Sequence, residues 1–222
     1  MSPGSGDGKS TVAANLAQAY AYAGKKTLLI DADFRRPSAH TLLGVSNFEG
    51  LRHLFGAQRT LQTVAQRSSV SGNLWIIPAD SGGPGPVENL NSPRMNQIMA
   101  SVNEEYEVTI IDSPPSLLAD ASVLASTVDG VLVVARLNHT PESALKYAVA
   151  QLRRANGKVV GIVINDPGRP YSQAYMGNWY GSGMMESKVR NGRGPFHSLG
   201  KRLRSLVRSG SNPDAPGGRN GH

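Results

Sequence analysis

Up to residue 164, five short runs of mostly aliphatic and β-branched residues recur along the chain, at positions 27–30, 74–77, 108–111, 130–135 and 159–164. Apolar residues follow one another in these runs instead of alternating with polar ones, so neither face is left for water and each is predicted to be a buried strand. Between them, apolar residues take helical spacing over 9–23, closed by Gly24, then over 95–103, 119–125 and 142–155, the last ending before Gly157. Strand alternating with helix predicts an α/β fold with a doubly wound, mainly parallel sheet. From Asn165 the pattern stops, and Pro, Gly, Ser, Asn and Arg dominate to His222 apart from a short apolar piece near Phe196. The expected organisation is one domain over 1–166, a tyrosine-containing segment over 167–185 and a disordered tail over 186–222. No internal repeat interrupts it.

Length and composition fit this division. The 222 residues suffice for one α/β domain with a sizeable core. The chain has no cysteine, which removes disulfides and thiolate metal sites and suits a reducing compartment. The longest aliphatic run, 130–135, falls far short of the roughly 20 residues needed to span a bilayer. A cytoplasmic location is therefore expected. Charge is uneven: 1–185 carries 15 Lys and Arg against 14 Asp and Glu, and 186–222 carries 8 against 2. A near-neutral body with a basic tail argues for a local electrostatic contact and against nucleic acid as the partner.

Candidate chemistry gathers at the strand ends and at the first helix. Gly4-Ser5-Gly6-Asp7-Gly8-Lys9-Ser10-Thr11 runs directly into that helix, and closely spaced glycines let backbone N–H groups wrap an anion at a helix N-terminus. Lys9 would reach the outer phosphates of a nucleotide and the Ser10 hydroxyl would ligate magnesium. Pro3 stands where the strict G-x-x-x-x-G-K-[ST] pattern has its first glycine. One strand ends in Asp31-Ala32-Asp33-Phe34-Arg35-Arg36-Pro37 and another in Asp112-Ser113-Pro114-Pro115. Doubly wound sheets bind ligands at these carboxyl ends.

Taken together, these residues resemble the bacterial tyrosine kinases, a family built on the P-loop fold of the partition and septum-site ATPases. The likeness covers residues 2 to about 166. Gly6-Asp7-Gly8-Lys9-Ser10 resembles the Walker A motif, Asp31 to Pro37 the family's second aspartate motif, and Ile111-Asp112-Ser113-Pro114-Pro115 Walker B. Pro86-Val87-Glu88-Asn89-Leu90 looks like a degenerate Pro-Ser/Thr-Glu-Leu-Leu segment, and Gly4 stands where partition ATPases carry a second lysine. The resemblance implies an ATP-dependent protein-tyrosine autokinase that regulates exopolysaccharide or capsule synthesis and export, with ATP and Mg2+ as cofactors.

Several roles follow from the resemblance and from the needs of phosphoryl transfer. Lys9 and the Gly4, Ser5, Gly6, Asp7, Gly8, Ser10 and Thr11 segment would hold phosphates. Ser10 and Asp112, with Asp31, would hold magnesium directly or through water. Asp31 or Asp33 would deprotonate the incoming tyrosine. Arg35 and Arg36 would neutralise charge, contact a neighbouring subunit or simply be solvated. Asn165 is a candidate adenine contact. Tyr171, Tyr175 and Tyr180 correspond to the family's tyrosine cluster, which neighbouring subunits phosphorylate.

The family also has a strand leading into the loop, a preceding helix for oligomerisation and a membrane-spanning activator, fused or separate. Because this chain starts at Met1 within the loop, its sheet is expected to lack the first strand and to show unpaired backbone edges. Two other readings remain open: a non-kinase P-loop ATPase switch, and a nucleotide-binding scaffold with impaired catalysis. In the tail, Phe196, Leu199, Leu203, Leu206 and Val207 would form one apolar stripe if 198–209 is helical, with Lys201, Arg202, Arg204 and Arg208 mostly elsewhere. That pattern fits a helix lying on an anionic membrane, with peripheral attachment at the inner face of the cell membrane, and equally a stripe that packs on the domain or stays disordered, since short helices are marginal in water.

Overall fold

Hydrophobic runs without polar alternation need cover on both faces, and the chain supplies it with helices. The computed structural model describes residues 1–56, 59–80, 82, 87–115 and 119–166. α1 (Lys9–Tyr22) leads into β1 (Thr27–Asp31), followed by the short helices α2 (Ala39–Leu43), α3 (Leu51–Phe55) and α4 (Leu61–Val64). β2 (Gln66–Arg67), β3 (Leu74–Ile77), a 3-10 turn at Val87–Asn91, α5 (Pro93–Glu105) and β4 (Val108–Asp112) come next. α6 (Ala119–Ser126), β5 (Val131–Arg136), α7 (Glu142–Arg154) and β6 (Val159–Asn165) complete the described chain. The five expected strands and four expected helices are all present, with ends displaced by up to two residues. β2, α2, α3, α4 and the 3-10 turn are additions.

Strand β1 is central and buried along its whole length, pairing in parallel with β3 on one side and β4 on the other. Side chains alternate across the sheet. Leu28 and Ile30 therefore join α3, α4 and α5 residues in one core, while Leu29 joins Ala13, Ala14, Ala17 and Ala21 in the other. The alanine face of α1 lets that helix lie close against β1 and β4. The Ser92 hydroxyl accepts the Met95 N–H at 3.2 Å and starts α5, with Pro93 in the first turn, where its missing N–H costs nothing.

The strands form two sheets, β2-β3-β1-β4 and β5-β6, parallel throughout except for β2 on β3. Among the described residues no strand lies between β4 and β5. Met1 bridges onto β5: its nitrogen donates to Leu132 O at 2.9 Å, and Val134 N donates to Met1 O at 2.7 Å. Those two bonds make a parallel bridge opposite Val133. Below Met1 lies a slot of about 370 Å³ whose walls include Val12 and Leu16 of α1, Ile110 of β4, Leu124 of α6 and Leu132 of β5. Among the described residues β4 pairs only with β1, and β5 only with β6 and with Met1, so the edges of β4 and β5 at this slot carry no further strand partner.

Pro86, Tyr171, Tyr175, Tyr180, the tail 186–222 and its proposed helix 198–209 lie outside the described residues. Among the described residues no helix is long and apolar enough to cross a membrane.

Candidate nucleotide site

The glycine loop owes its shape to two left-handed residues, Gly6 (φ +85°) and Gly8 (φ +89°). Gly8 is doubly constrained, because a Cβ there would also collide with the Asn165 side-chain amide. Gly8 is the N-cap of α1 and offers no side-chain cap, so the first amides of the helix remain for an anion. They face a cavity of about 590 Å³ lined by Ser5, Gly6, Gly8, Lys9, Ser10 and Thr11 on the loop side. Asp33, Arg35, Arg36, Ser38 and Pro115 close the other side. Arg36 Nη1 donates to Ser5 Oγ at 3.1 Å and joins the two sides directly.

Strand register brings the acids together. Asp31 and Asp112 end neighbouring strands as direct partners. The Asp31 carboxylate accepts N–H bonds from Asp33 (3.1 Å), Ser38 (3.0 Å) and Ala39 (3.0 Å), which fixes the loop after β1. Burial, reinforced by the Asp112 charge, nevertheless pushes its pKa up to about 6. Lys9 Nζ lies 2.8 Å from Asp33 Oδ2 and 3.6 Å from Asp112 Oδ1, and donates to Ser10 Oγ at 3.1 Å. Burial alone would lower the Lys9 pKa, but the Asp112 and Asp33 carboxylates outweigh it and hold the ammonium charged. Burial also pushes Asp112 up, with Lys9 and a hydrogen bond from Ser10 working against it.

Asp33 and Asp112 thus share one ammonium beside a third buried carboxylate, Asp31, and Asp112 Oδ2 is buried with no hydrogen-bond partner. An unsatisfied hard oxygen beside a hydroxyl suits Mg2+, which binds few protein oxygens and keeps waters and phosphate oxygens.

The loop is also tied to the second sheet, through residues that sequence reasoning missed. Thr140 Oγ1 donates to Asp7 Oδ1 at 2.6 Å, and Arg136 Nη1 reaches Gly6 O at 3.4 Å. Asn165, which the sequence did single out, donates from Nδ2 to Asp7 O at 3.0 Å. Arg136 and Asn165 pair across the ends of β5 and β6. The available signal was their place at the carboxyl ends of predicted strands, with Thr140 in the turn beyond. Of the residues expected at the site, Ser5, Gly6, Gly8, Lys9, Ser10, Thr11 and Asp33 line the cavity, Asp112 meets it through Lys9, and Gly4, Asp7, Asp31 and Asn165 stand behind it, where they hydrogen-bond the loop or the backbone after β1.

Residues 4–158 match the family model AAA_31, an AAA domain. The tyrosine-protein kinase YwqD of Bacillus subtilis is 33% identical over 178 residues, which are 80% of this chain and 74% of YwqD. The chain belongs to the bacterial tyrosine kinases. EpsB of Ralstonia solanacearum is 37% identical over 182 residues, 81% of this chain, and the chain spans only 24% of that protein's length. Among solved structures, the kinase domain of the Escherichia coli tyrosine kinase ETK superposes with a TM-score of 0.70 at 31% identity, covering 78% of this chain and 68% of that one. The septum site-determining protein MinD of Pyrococcus horikoshii, solved with Mg-ADP, gives 0.64 at 21% identity over 78% of this chain and 72% of its own, a likeness of fold. In this member of the family, Lys9, Asp33 and Asp112 meet at the carboxyl ends of β1 and β4, the side of the sheet on which α/β folds bind their ligands.

Proposed function

We propose that the chain is an ATP-dependent protein-tyrosine autokinase that regulates the synthesis and export of exopolysaccharide or capsule. The observation that supports it best is the convergence of Lys9, Asp33 and Asp112 beside a glycine loop whose amides face a cavity. Bound Mg-ATP would supply the transferable phosphoryl group and the divalent charge. Lys9 and the loop amides would bind the phosphates, and Ser10 and Asp112 would hold the metal, with Asp31 reaching it through water. Asp33 lines the cavity, whereas Asp31 is turned onto three backbone amides, so Asp33 is the carboxylate better placed to take a tyrosine proton. Arg36, anchored on Ser5, and Arg35 offer positive charge at the cavity rim.

The acceptors in this proposal are Tyr171, Tyr175 and Tyr180, modified by a neighbouring subunit. A membrane-spanning activator and an anionic membrane surface, met by the basic tail, are the further partners. The test is incubation with Mg-ATP followed by phosphotyrosine detection and mass spectrometry. Phosphate on these three tyrosines is expected. ADP release without phosphotyrosine, even with an activator added, would overturn the kinase reading in favour of an ATPase switch.

A further inference from the structure

A carboxylate inside a phosphate-binding loop is out of place, because it repels the ligand that the loop amides attract. Asp7 is such a residue, yet it is 2% exposed and absent from the wall of the nucleotide cavity, while its neighbours Gly6 and Gly8 line it. Its two oxygens are held from elsewhere. Oδ2 accepts the Gly4 N–H at 2.9 Å and Oδ1 accepts the Thr140 hydroxyl at 2.6 Å.

The direction of the second bond is fixed by its surroundings. Thr140 Oγ1 accepts the Arg136 N–H at 2.8 Å, and Arg136 O accepts the N–H of Thr140 at 2.9 Å, so the turn after β5 orients the hydroxyl. Its remaining proton points to a carboxylate, which can only accept. Asn165 holds the Asp7 carbonyl from the end of β6. The Asp7 peptide and side chain are thus both anchored on the second sheet.

We propose that Thr140 is a positioning residue that keeps the Asp7 charge turned away from the phosphate site. This inference rests on the nucleotide-binding reading above. Without the hydroxyl, Asp7 Oδ1 loses a buried charge-assisted bond, and the carboxylate gains by turning toward the cavity that Gly6 and Gly8 line, where water would solvate it. There it meets the phosphates as a like charge.

The test is a cycle in the full chain: Thr140→Val, Thr140→Ser, Asp7→Asn, and Asp7→Asn combined with Thr140→Val. Affinity for Mg-ATP and for inorganic tripolyphosphate is measured by calorimetry, alongside KM and kcat for phosphotyrosine formation. Thr140→Val should weaken both ligands about tenfold and raise KM more than it lowers kcat. Thr140→Ser should recover most of the loss. In the double variant, the neutral amide at position 7 should restore affinity to within about threefold of Asp7→Asn alone, an outcome that a merely structural role for Thr140 does not give. Equal losses from Thr140→Val in the native and Asp7→Asn backgrounds would overturn the proposal, as would unchanged affinity in Thr140→Val. Failure of the nucleotide reading would look different, since the unmodified chain would then bind neither ligand. In that case hydrogen exchange decides: Thr140→Val must speed exchange of the Gly4 amide in the ligand-free chain, and an unchanged rate overturns the clamp.

Discussion

The two sheets meet at one site and contribute opposite things to it. The four-stranded sheet ends in charge: Asp31 and Asp112 are register partners, Asp33 follows, and all three are nearly inaccessible to water. The two-stranded sheet ends in Arg136 and Asn165, with Thr140 in the turn beyond, and these bind the loop through hydrogen-bond donors. The first sheet thus stores the electrostatic tension that Lys9 relieves, and the second fixes where the loop amides point. Separating them is a slot that Met1 bridges on its β5 side, so loop and aspartates are aligned by helices and by Lys9 more than by backbone pairing.

The largest expected effect follows from removing the side chain that ties the loop to the acidic sheet. Lys9→Met deletes the ammonium that contacts Asp33 and Asp112 and would face several phosphate charges. Mg-ATP affinity by calorimetry should fall by at least about 100-fold with the fold intact by circular dichroism. Retained affinity would break the division, because the acidic sheet would then bind nucleotide without its counter-charge.

Filling the slot sharpens the comparison from the other side. The Met1 bridge fixes a parallel register opposite Val133, so five β-branched residues placed ahead of Met1 would run between β4 and β5. Burying a Val or Ile side chain gains about 2 kcal/mol, and ordering a residue costs about 1 to 2 kcal/mol. Backbone bonds add about 1 kcal/mol each. A net gain of several kcal/mol is expected, read as a higher urea midpoint. A proline-interrupted extension of equal length should give almost none, since proline removes ladder donors.

Asp31 gives a pH signature that belongs to the acidic sheet alone. Its pKa rises from 3.8 to about 6 on folding, chiefly through burial. The folded protein therefore holds this proton more tightly than the unfolded chain does, so the Asp31 contribution improves as pH falls from above 6 towards 4. It worsens as pH rises through the same window. Relative to Asp31→Asn, the wild type should gain about 2 kcal/mol of unfolding free energy between about pH 7.5 and about pH 4.5. A difference that is flat with pH would show that the backbone amides on Asp31 outweigh burial.

Legibility in the sequence followed the same division. The strands of both sheets were visible because burial on both faces leaves unbroken apolar runs, as at Leu28, Leu29 and Ile30. β2 was not, since Gln66 and Arg67 pair antiparallel at the sheet edge and carry no apolar signal. Helices α2, α3 and α4 are four or five residues long, so Leu51 with Leu54 and Leu61 with Val64 mark a single turn each, too little to establish a period. At the site, Lys9, Asp31, Asp33 and Asp112 were legible because each lies in a local motif at the end of a hydrophobic run or the start of a helix. Thr140 was not, because its partner Asp7 lies 133 residues away and their meeting depends on how β5 sits against the loop. Family likeness points to Asn165, but its bond to the Asp7 carbonyl is a product of the same long-range packing.

Asn165 also provides the smallest and most discriminating test, because two roles for it predict different ligand dependence. As a loop support it donates one hydrogen bond, partly accessible to water, which is worth about 1 kcal/mol. Its loss in Asn165→Ala would weaken any ligand of the loop by about threefold, since water replaces part of the bond and the Leu137 N–H to Asn165 O backbone bond at 2.8 Å is untouched. As an adenine contact it would act only on ligands that carry a base. Both roles together predict a loss of about tenfold for Mg-ATP against about threefold for tripolyphosphate, measured by calorimetry on the same variant. Equal losses would confine Asn165 to holding the loop and move the base contact off the second sheet. No loss for tripolyphosphate would mean that Thr140, through Asp7, is enough to fix the loop without it.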